Sequence, residues 1–216
     1  MPYKTDPKAP PISIREILAN SITHGIGVGL SIAGIVFLII KAIQKGSAWH
    51  LAGFIIFGVS LILLYLASTM YHCFANKPIK AFLQRLDHTA IFFLIAGTYT
   101  PYILTKLRNG WGWSILGIIW GLSIFMLVIK LCFKSKFEKP SVFLYLAMGW
   151  FGAVVFFLTM GTIGYRSLFL LLLGGIFYSA GVIFYRWRSL PFSHAIWHIF
   201  VLLGSISHYF SILKLA

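Results

Sequence analysis

The feature that most constrains this chain is a series of seven apolar stretches, each about 20 residues long and almost free of charge. A helix of that length crosses the ~30 Å hydrocarbon layer of a bilayer, because each residue advances it by ~1.5 Å. The sequence therefore predicts an all-α integral membrane protein, a bundle of seven transmembrane helices. The expected spans are Ile22–Ala42, Leu51–Tyr71, Thr89–Leu107, Trp113–Phe133, Val142–Met160, Leu168–Tyr185 and Ala195–Leu213.

The composition of the chain agrees with a location in the lipid bilayer. Only 10% of the residues are charged and 59% are hydrophobic, whereas charged residues make up about 25% of a soluble domain. We expect residues 1–21 to form a cytoplasmic arm that ends in a short interfacial helix, Ser13 to Asn20. Residues 22–216 then form the transmembrane domain. No cleavable signal precedes Ile22, so the first span is expected to direct insertion.

The net charge of +14 is distributed unevenly along the seven spans. Of the 18 Lys and Arg residues, six lie on one side, and the other twelve lie on the N-terminal arm and three alternate connections. This bias predicts a cytoplasmic N-terminus and an external C-terminus in the cell (inner or plasma) membrane. The basic face is expected to meet anionic lipid, and no nucleic-acid partner is expected. The twelve are Lys4, Lys8, Arg15, Lys77, Lys80, Arg85, Lys130, Lys134, Lys136, Lys139, Arg186 and Arg188.

Two histidines four residues apart, His194 and His198, begin the seventh span. On a helix this spacing places both imidazoles on one face, close enough to bind one metal ion. The threading brings further polar residues to the same depth, because the second span ends and the third begins on the cytoplasmic side. These residues are Ser68, His72 and Asp87.

Three imidazoles with an open fourth position are typical of a catalytic zinc site. We predict His72, His194 and His198 as zinc ligands. Asp87 is then either a fourth ligand or, as we favour, the acceptor for the proton of a metal-bound water. Ser68, one turn from His72, could orient a ligand or donate to a developing oxyanion. Helix capping by Asp87 and snorkelling of the histidines are the structural alternatives.

The remaining histidines fit this set less well. His24 lies at the right depth and competes for a ligand position. It continues a polar stripe, Glu16, Asn20 and His24, which is either a solvated helix end or a layer bracing the site. His88 points about 100° from Asp87 on an ideal helix, and His50 and His208 fall toward the external side. The pair also lacks the glutamate of a His-Glu-x-x-His protease.

These motifs together resemble the bacterial hemolysin III family, which is grouped with the progestin and adiponectin receptors and is more remotely similar to alkaline ceramidases. The resemblance covers essentially the whole chain. It is carried by Glu16, Asn20 and His24, by Ser68-Thr-Met-Tyr-His72, by Leu86-Asp-His-Thr-Ala-Ile-Phe-Phe-Leu-Ile-Ala-Gly-Thr-Tyr-Thr-Pro101 and by His194-Ala-Ile-Trp-His198.

The resemblance implies a seven-helix bundle with an internal N-terminus and zinc held by three histidines near the cytoplasmic face. By motif position, the implied ligands are His72, His194 and His198, with Ser68 and Asp87 beside them. Three functions stay open: a zinc-dependent hydrolase of lipid amides or esters acting in lipid homeostasis, a lipid-responsive receptor or regulator with structural zinc, and a pore-forming hemolysin. The spans show no polar stripe from one side to the other, which argues against a pore.

Overall fold

The computed structural model describes residues 13–74, 77–132, 138–187 and 189–216, and these residues form an all-helical bundle. Residues 1–12 of the expected arm, and the basic residues Lys134, Lys136 and Arg188, lie outside the described residues. The helices are α1 (Ile14–Lys45), α2 (Ala48–Cys73), α3 (Lys77–Lys106), α4 (Gly110–Cys132), α5 (Glu138–Trp150), α6 (Gly152–Thr159), α7 (Tyr165–Arg186) and α8 (Ser193–Leu213).

Seven membrane crossings arise from these eight helices. Five are long and apolar enough to span a bilayer on their own, namely α1, α2, α4, α7 and α8. The third crossing is α3, a 30-residue helix with more polar residues. The fifth consists of α5 and α6, which follow one another with a break at Phe151. Residues 138–159 extend about 33 Å at ~1.5 Å per residue, enough to cross. The prediction of a seven-helix membrane protein is confirmed.

Helix α1 is longer than its apolar span because its caps lie outside the hydrocarbon. Ser13 accepts a hydrogen bond from the Glu16 backbone, while the Glu16 side chain accepts one from the Ser13 backbone, the reciprocal pattern of a capping box. Gly46 ends the helix at φ 66°, a conformation that favours glycine. The expected interfacial segment Ser13 to Asn20 forms the first turns of α1, which continues without interruption to Lys45.

The helices pack around α3, which contacts α2, α4, α5, α6 and α8. Helix α8 packs against both α7 and α1, so the seventh crossing lies beside the first. The centre of the bundle is apolar and fully buried at Phe92, Ala96 and Ile103 of α3. Large apolar side chains such as Phe143 and Phe169 are exposed on the outside, as expected for a surface that faces lipid.

Polar side chains inside the bundle pair with one another. The Tyr65 hydroxyl donates to Ser205 at 2.7 Å, and the Tyr102 hydroxyl donates to Ser211 at 2.6 Å. Buried polar residues run along α8 from His198 through Ser205 and His208 to Ser211. The expectation that no span carries a polar stripe from one side to the other is therefore wrong for α8. Because their groups bond to neighbouring helices, this stripe is part of a packed interior.

Close approach between α2 and α3 depends on Gly53. A Cβ added at Gly53 would lie 2.9 Å from the Pro101 Cα, and backbone atoms cannot move aside as a side chain can. We expect Gly53→Ala to lower the free energy of unfolding by about 1–3 kcal/mol, measured as a lower thermal midpoint in detergent. Gly29→Ala is the control, because nothing lies within 4 Å of its added Cβ; equal midpoints for both variants would contradict the prediction.

Candidate metal centre

Three histidines from two distant parts of the chain meet at the cytoplasmic end of the bundle, the end that the charge distribution assigns to the cytoplasm. His72 lies in the last turn of α2, His194 in the first turn of α8 and His198 one turn further along. One ring nitrogen from each lies within 4.8 Å of the others. The ring centroids are 4.5–5.1 Å apart. Sequence reasoning predicted this convergence, and the structure brings the three together.

The ring nitrogens have the properties that metal ligands require. The Nε2 atoms of His72 and His194 are buried and have no hydrogen-bond partner among the described residues. Leaving such groups unpaired costs about 1–3 kcal/mol each, and a metal ion would recover this cost by accepting their lone pairs. Three imidazoles suit zinc, copper, iron or nickel. The described donor set therefore fits a transition-metal ion.

His198 is oriented by the first helix. Its Nδ1 lies 3.1 Å from the Asn20 backbone oxygen and 3.1 Å from the Thr23 hydroxyl. A carbonyl oxygen can only accept, so Nδ1 carries the proton and Nε2 keeps a free lone pair. A hydrogen bond of this kind is the usual support behind a metal-binding histidine. Sequence reasoning missed Thr23, although it precedes His24 in the polar stripe of α1.

His24 lies against the centre rather than in it. Its ring stacks on the His198 ring with centroids 3.5 Å apart and planes 14° apart. Both of its ring nitrogens are buried without a hydrogen-bond partner. The group of nitrogens within mutual reach contains His72, His194 and His198 but not His24. The histidine predicted to compete for a ligand position therefore stacks on His198 and lies outside the cluster of three.

Asp87 and Ser68 lie beside the centre and face a common cavity. Asp87 is 7% exposed and Ser68 is fully buried. Both line the cavity together with His194 and His198. The Ser68 hydroxyl lies close enough to the Asp87 carboxyl for the two to interact, and it makes no hydrogen bond to any other described residue. The two residues predicted to act with the histidines thus reach the same space.

This cavity has a volume of about 170 Å³, more than ten times the 10–15 Å³ that one water needs. It begins at Asp87 and continues along α3 to Tyr102, a length of about 22 Å at ~1.5 Å per residue. Most of its wall is apolar and comes from α3, α5, α7 and α8, with Ile91, Ile95, Val182 and Trp197 among the lining residues. A long, narrow apolar molecule with one polar end would fit this shape.

His88 was set aside as a ligand on sequence grounds, and it is not among the three histidines whose nitrogens cluster, although it lines the cavity. Although consecutive helix residues point 100° apart, both Asp87 and His88 line this cavity. Its backbone oxygen accepts a hydrogen bond from Tyr145 at 2.7 Å, and Tyr145 accepts one from the buried Lys130 at 3.2 Å. His50 and His208 lie away from the centre, as predicted. His50 is in the first turn of α2, and His208 lies nearly three turns beyond His198 on α8.

Comparison with known proteins agrees with the fold. The family model described as "Haemolysin-III related" matches residues 13–209. The chain is 48% identical over 201 residues to the "Hemolysin-3 homolog" of Bacillus subtilis (strain 168), covering 93% of this chain and 94% of that protein. It is 45% identical to "Hemolysin-3" of Bacillus cereus, with coverage of 93% and 91%. It is 29% identical to the human "Monocyte to macrophage differentiation factor", with coverage of 92% and 84%.

The convergence of three imidazoles predicts that metal binding depends on them. We expect the detergent-purified protein to bind one divalent transition-metal ion, and His72→Ala or His198→Ala to lose it, because two nitrogens hold such an ion weakly. Metal content per protein, measured by inductively coupled plasma mass spectrometry, checks this. His50→Ala is the control, since His50 is buried at the opposite end. Retention of a full equivalent by His198→Ala would contradict the prediction.

Proposed function

Because this chain belongs to the haemolysin-III-related family of multi-pass plasma-membrane proteins, we propose that it is a zinc-dependent hydrolase of lipid amides or esters. The observation that carries the proposal is a single cavity in which a carboxyl group, a hydroxyl group and two of three clustered histidines share one end of an apolar channel. A lipid provides a matching molecule, a carbonyl group attached to a long hydrocarbon chain.

The metal would be held by His72, His194 and His198, with the fourth position left to water or substrate. Zinc is the preferred ion because three imidazoles with an open position are its usual catalytic ligand set. When bound, zinc polarises a carbonyl group and lowers the pKa of a water molecule to about 7. The support for this ligand set is the donor chemistry and the unpartnered nitrogens described above.

Asp87 would supply the base. Its carboxylate would take a proton from the water that adds to the substrate carbonyl, and the same proton would then pass to the departing amine or alcohol. The C–N or C–O bond breaks, and the products are a fatty acid and an amine or alcohol. Ser68 would donate a hydrogen bond to the carbonyl oxygen as negative charge develops on it.

The apolar cavity would bind the acyl chain and keep bulk water away from the reacting carbonyl. Its length of about 22 Å along α3 exceeds half of the ~30 Å hydrocarbon layer. Ile91, Ile95 and Trp197 are placed to contact the chain near the reacting end. Burial of each CH₂ contributes about 0.8 kcal/mol, so substrates with longer chains are expected to bind more tightly until the cavity is filled.

This proposal predicts a specific loss of turnover. Metal-loaded protein in vesicles of phosphatidylethanolamine and phosphatidylglycerol is supplied with N-acylsphingosine or with a monoacyl lysophospholipid, and released fatty acid is measured by mass spectrometry. We expect Asp87→Asn to reduce release by about 10²–10⁴-fold, the usual contribution of a general base, with its metal content unchanged. His50→Ala serves as the matched control and keeps its rate.

Two outcomes would contradict the proposal. One is wild-type protein that holds a full equivalent of zinc and cleaves neither class of lipid. The other is an Asp87→Asn variant that cleaves at the wild-type rate. The first result would favour a lipid-responsive receptor or regulator in which the metal is structural, so that its removal lowers the thermal midpoint.

A second candidate, membrane lysis, follows from the name "Hemolysin-3" of the relative from Bacillus cereus. The interior of the bundle does not favour an aqueous pore, because its polar groups bond to one another across α2, α3, α7 and α8. Leakage of a fluorescent dye from vesicles containing the purified protein distinguishes the two functions. A hydrolase would leave the dye inside vesicles that lack a cleavable lipid, whereas a pore would release it.

A further inference from the structure

The start of α8, which carries both His194 and His198, is held by a side chain from the first helix. The Glu16 Oε1 atom accepts a hydrogen bond from the Phe192 backbone N–H at 3.0 Å. Phe192 is the residue that precedes α8, and no side chain of its own segment caps that helix. Glu16 lies 176 residues away in sequence. This contact is therefore a tertiary restraint on the position at which α8 begins.

Phe192 is strained where Glu16 holds it. It has φ 57°, the only positive φ of a non-glycine residue in the part of the chain that is described. The left-handed conformation costs an L-residue roughly 1–2 kcal/mol. The Phe192 peptide is fixed on both sides, because its N–H donates to Glu16 and its C=O accepts from the Ile196 N–H at 3.0 Å. The conformation persists because its surroundings stabilise it.

The carboxyl group of Glu16 is well suited to this contact. Hydrogen bonds from the backbone amides of Phe192 and then Ser13 lower its pKa, and the residue precedes the predicted membrane span. A charged acceptor makes a stronger hydrogen bond than a neutral one. Its second oxygen, Oε2, accepts from the Ser13 backbone at 2.9 Å and from the Ser13 hydroxyl at 3.1 Å. One carboxylate therefore joins the starts of α1 and α8.

The same face of α1 reaches α8 a second time, one turn further along. Asn20, four residues after Glu16, presents its backbone oxygen to the His198 Nδ1. The two contacts lie on either side of His194, at Phe192 and at His198. A helix held at both points can neither slide nor rotate without moving a ligand nitrogen. Metal ligands must be held within about 0.5 Å of their working positions.

We propose that Glu16 is a positioning residue of the metal centre, which sets the register of the His194–His198 helix by binding the Phe192 amide. The proposal rests on the metal centre proposed above and does not depend on hydrolysis. Glu16 does not touch the ion. Its effect passes through the Phe192 peptide to the first turn of α8, and so to the two ligands that this helix carries.

The test is a titration of the purified full-length protein with Co²⁺ in competition with a chelator. We expect Glu16→Ala to raise the dissociation constant about 10-fold, at the low end of the 10–100-fold effect of supporting residues. The d–d absorption band of the bound Co²⁺ should also change, because the ligand geometry loosens. Glu16→Gln keeps an oxygen that can accept from Phe192, and we expect it to bind within about 3-fold of wild type.

Ser13→Ala is the matched control. It removes the hydroxyl that accepts from the Glu16 backbone and donates to Oε2, and it keeps the Ser13 backbone bond to Oε2 and the Phe192 bond to Oε1. If Glu16 only capped α1, Ser13→Ala and Glu16→Ala would weaken Co²⁺ binding alike. The proposal expects Ser13→Ala to bind as wild type does. The thermal midpoint without metal, recorded for each variant, shows that the variants are folded.

Three results would overturn the inference: Glu16→Ala binding Co²⁺ within 2-fold of wild type with an unchanged spectrum, Ser13→Ala weakened as much as Glu16→Ala, or Glu16→Gln as weak as Glu16→Ala. A wild-type protein that binds no Co²⁺ would instead remove the metal centre itself. The failure of the centre and the failure of the positioning role are thus distinguishable. Fatty-acid release is not needed for either conclusion.

Discussion

The scarcity of water inside the bilayer is the constraint on which this structure depends, because polar groups there must find partners within the protein. Most do. Tyr65, Ser205 and Tyr178 form one hydrogen-bonded group, and Tyr102, Ser211 and Ser167 form another. The buried side-chain atoms without a partner, among the described residues, are found mainly at one end of the bundle. There they belong to Asn20, His24, His72 and His194; two others, in His50 and His208, lie elsewhere.

This concentration of unpaired groups links the fold to its proposed chemistry. A protein that pairs Tyr102 with Ser211 deep in its interior could pair its histidines too, if nothing else were to bind them. Two of the three clustered imidazoles keep Nε2 without a hydrogen-bond partner, and the third has its Nδ1 bonded so that Nε2 keeps its lone pair. The free energy lost by leaving them unpaired would be recovered if a cation and a polar ligand filled the space. Stability is given up locally where function requires it.

Much of the fold could be predicted from the sequence because the hydropathy of a segment indicates whether it crosses the bilayer. The seven spans and the common depth of His72, Asp87 and His194 all followed from counting crossings. Helix ends could not be predicted in this way. Helix α1 continues from Ile14 to Lys45, well beyond the span Ile22–Ala42, because Ser13 and Gly46 rather than the hydrocarbon boundary determine its ends.

The details of the site could not be predicted from the sequence, because they depend on how the helices pack. The break between α5 and α6 at Phe151 has no strong signal in the sequence, and His88 lines the cavity although an ideal helix points it away from Asp87. The contacts of α1 with α8 could not be predicted either, because Glu16 and Phe192 are far apart in sequence. The polar stripe of Glu16, Asn20 and His24 was visible, but only the structure shows that Glu16 and Asn20 hold the first turns of α8 and that His24 stacks on His198.

Both proposals require His72, His194 and His198 to bind one ion together. X-ray absorption spectroscopy at the zinc edge of the purified, zinc-loaded protein tests this most directly, because it reports the type and distance of the atoms around the metal. Joint binding by the three histidines predicts three imidazole nitrogens at about 2.0–2.1 Å and one oxygen ligand. A spectrum dominated by sulfur at about 2.3 Å, or by oxygen ligands without the multiple scattering of imidazole rings, would contradict it.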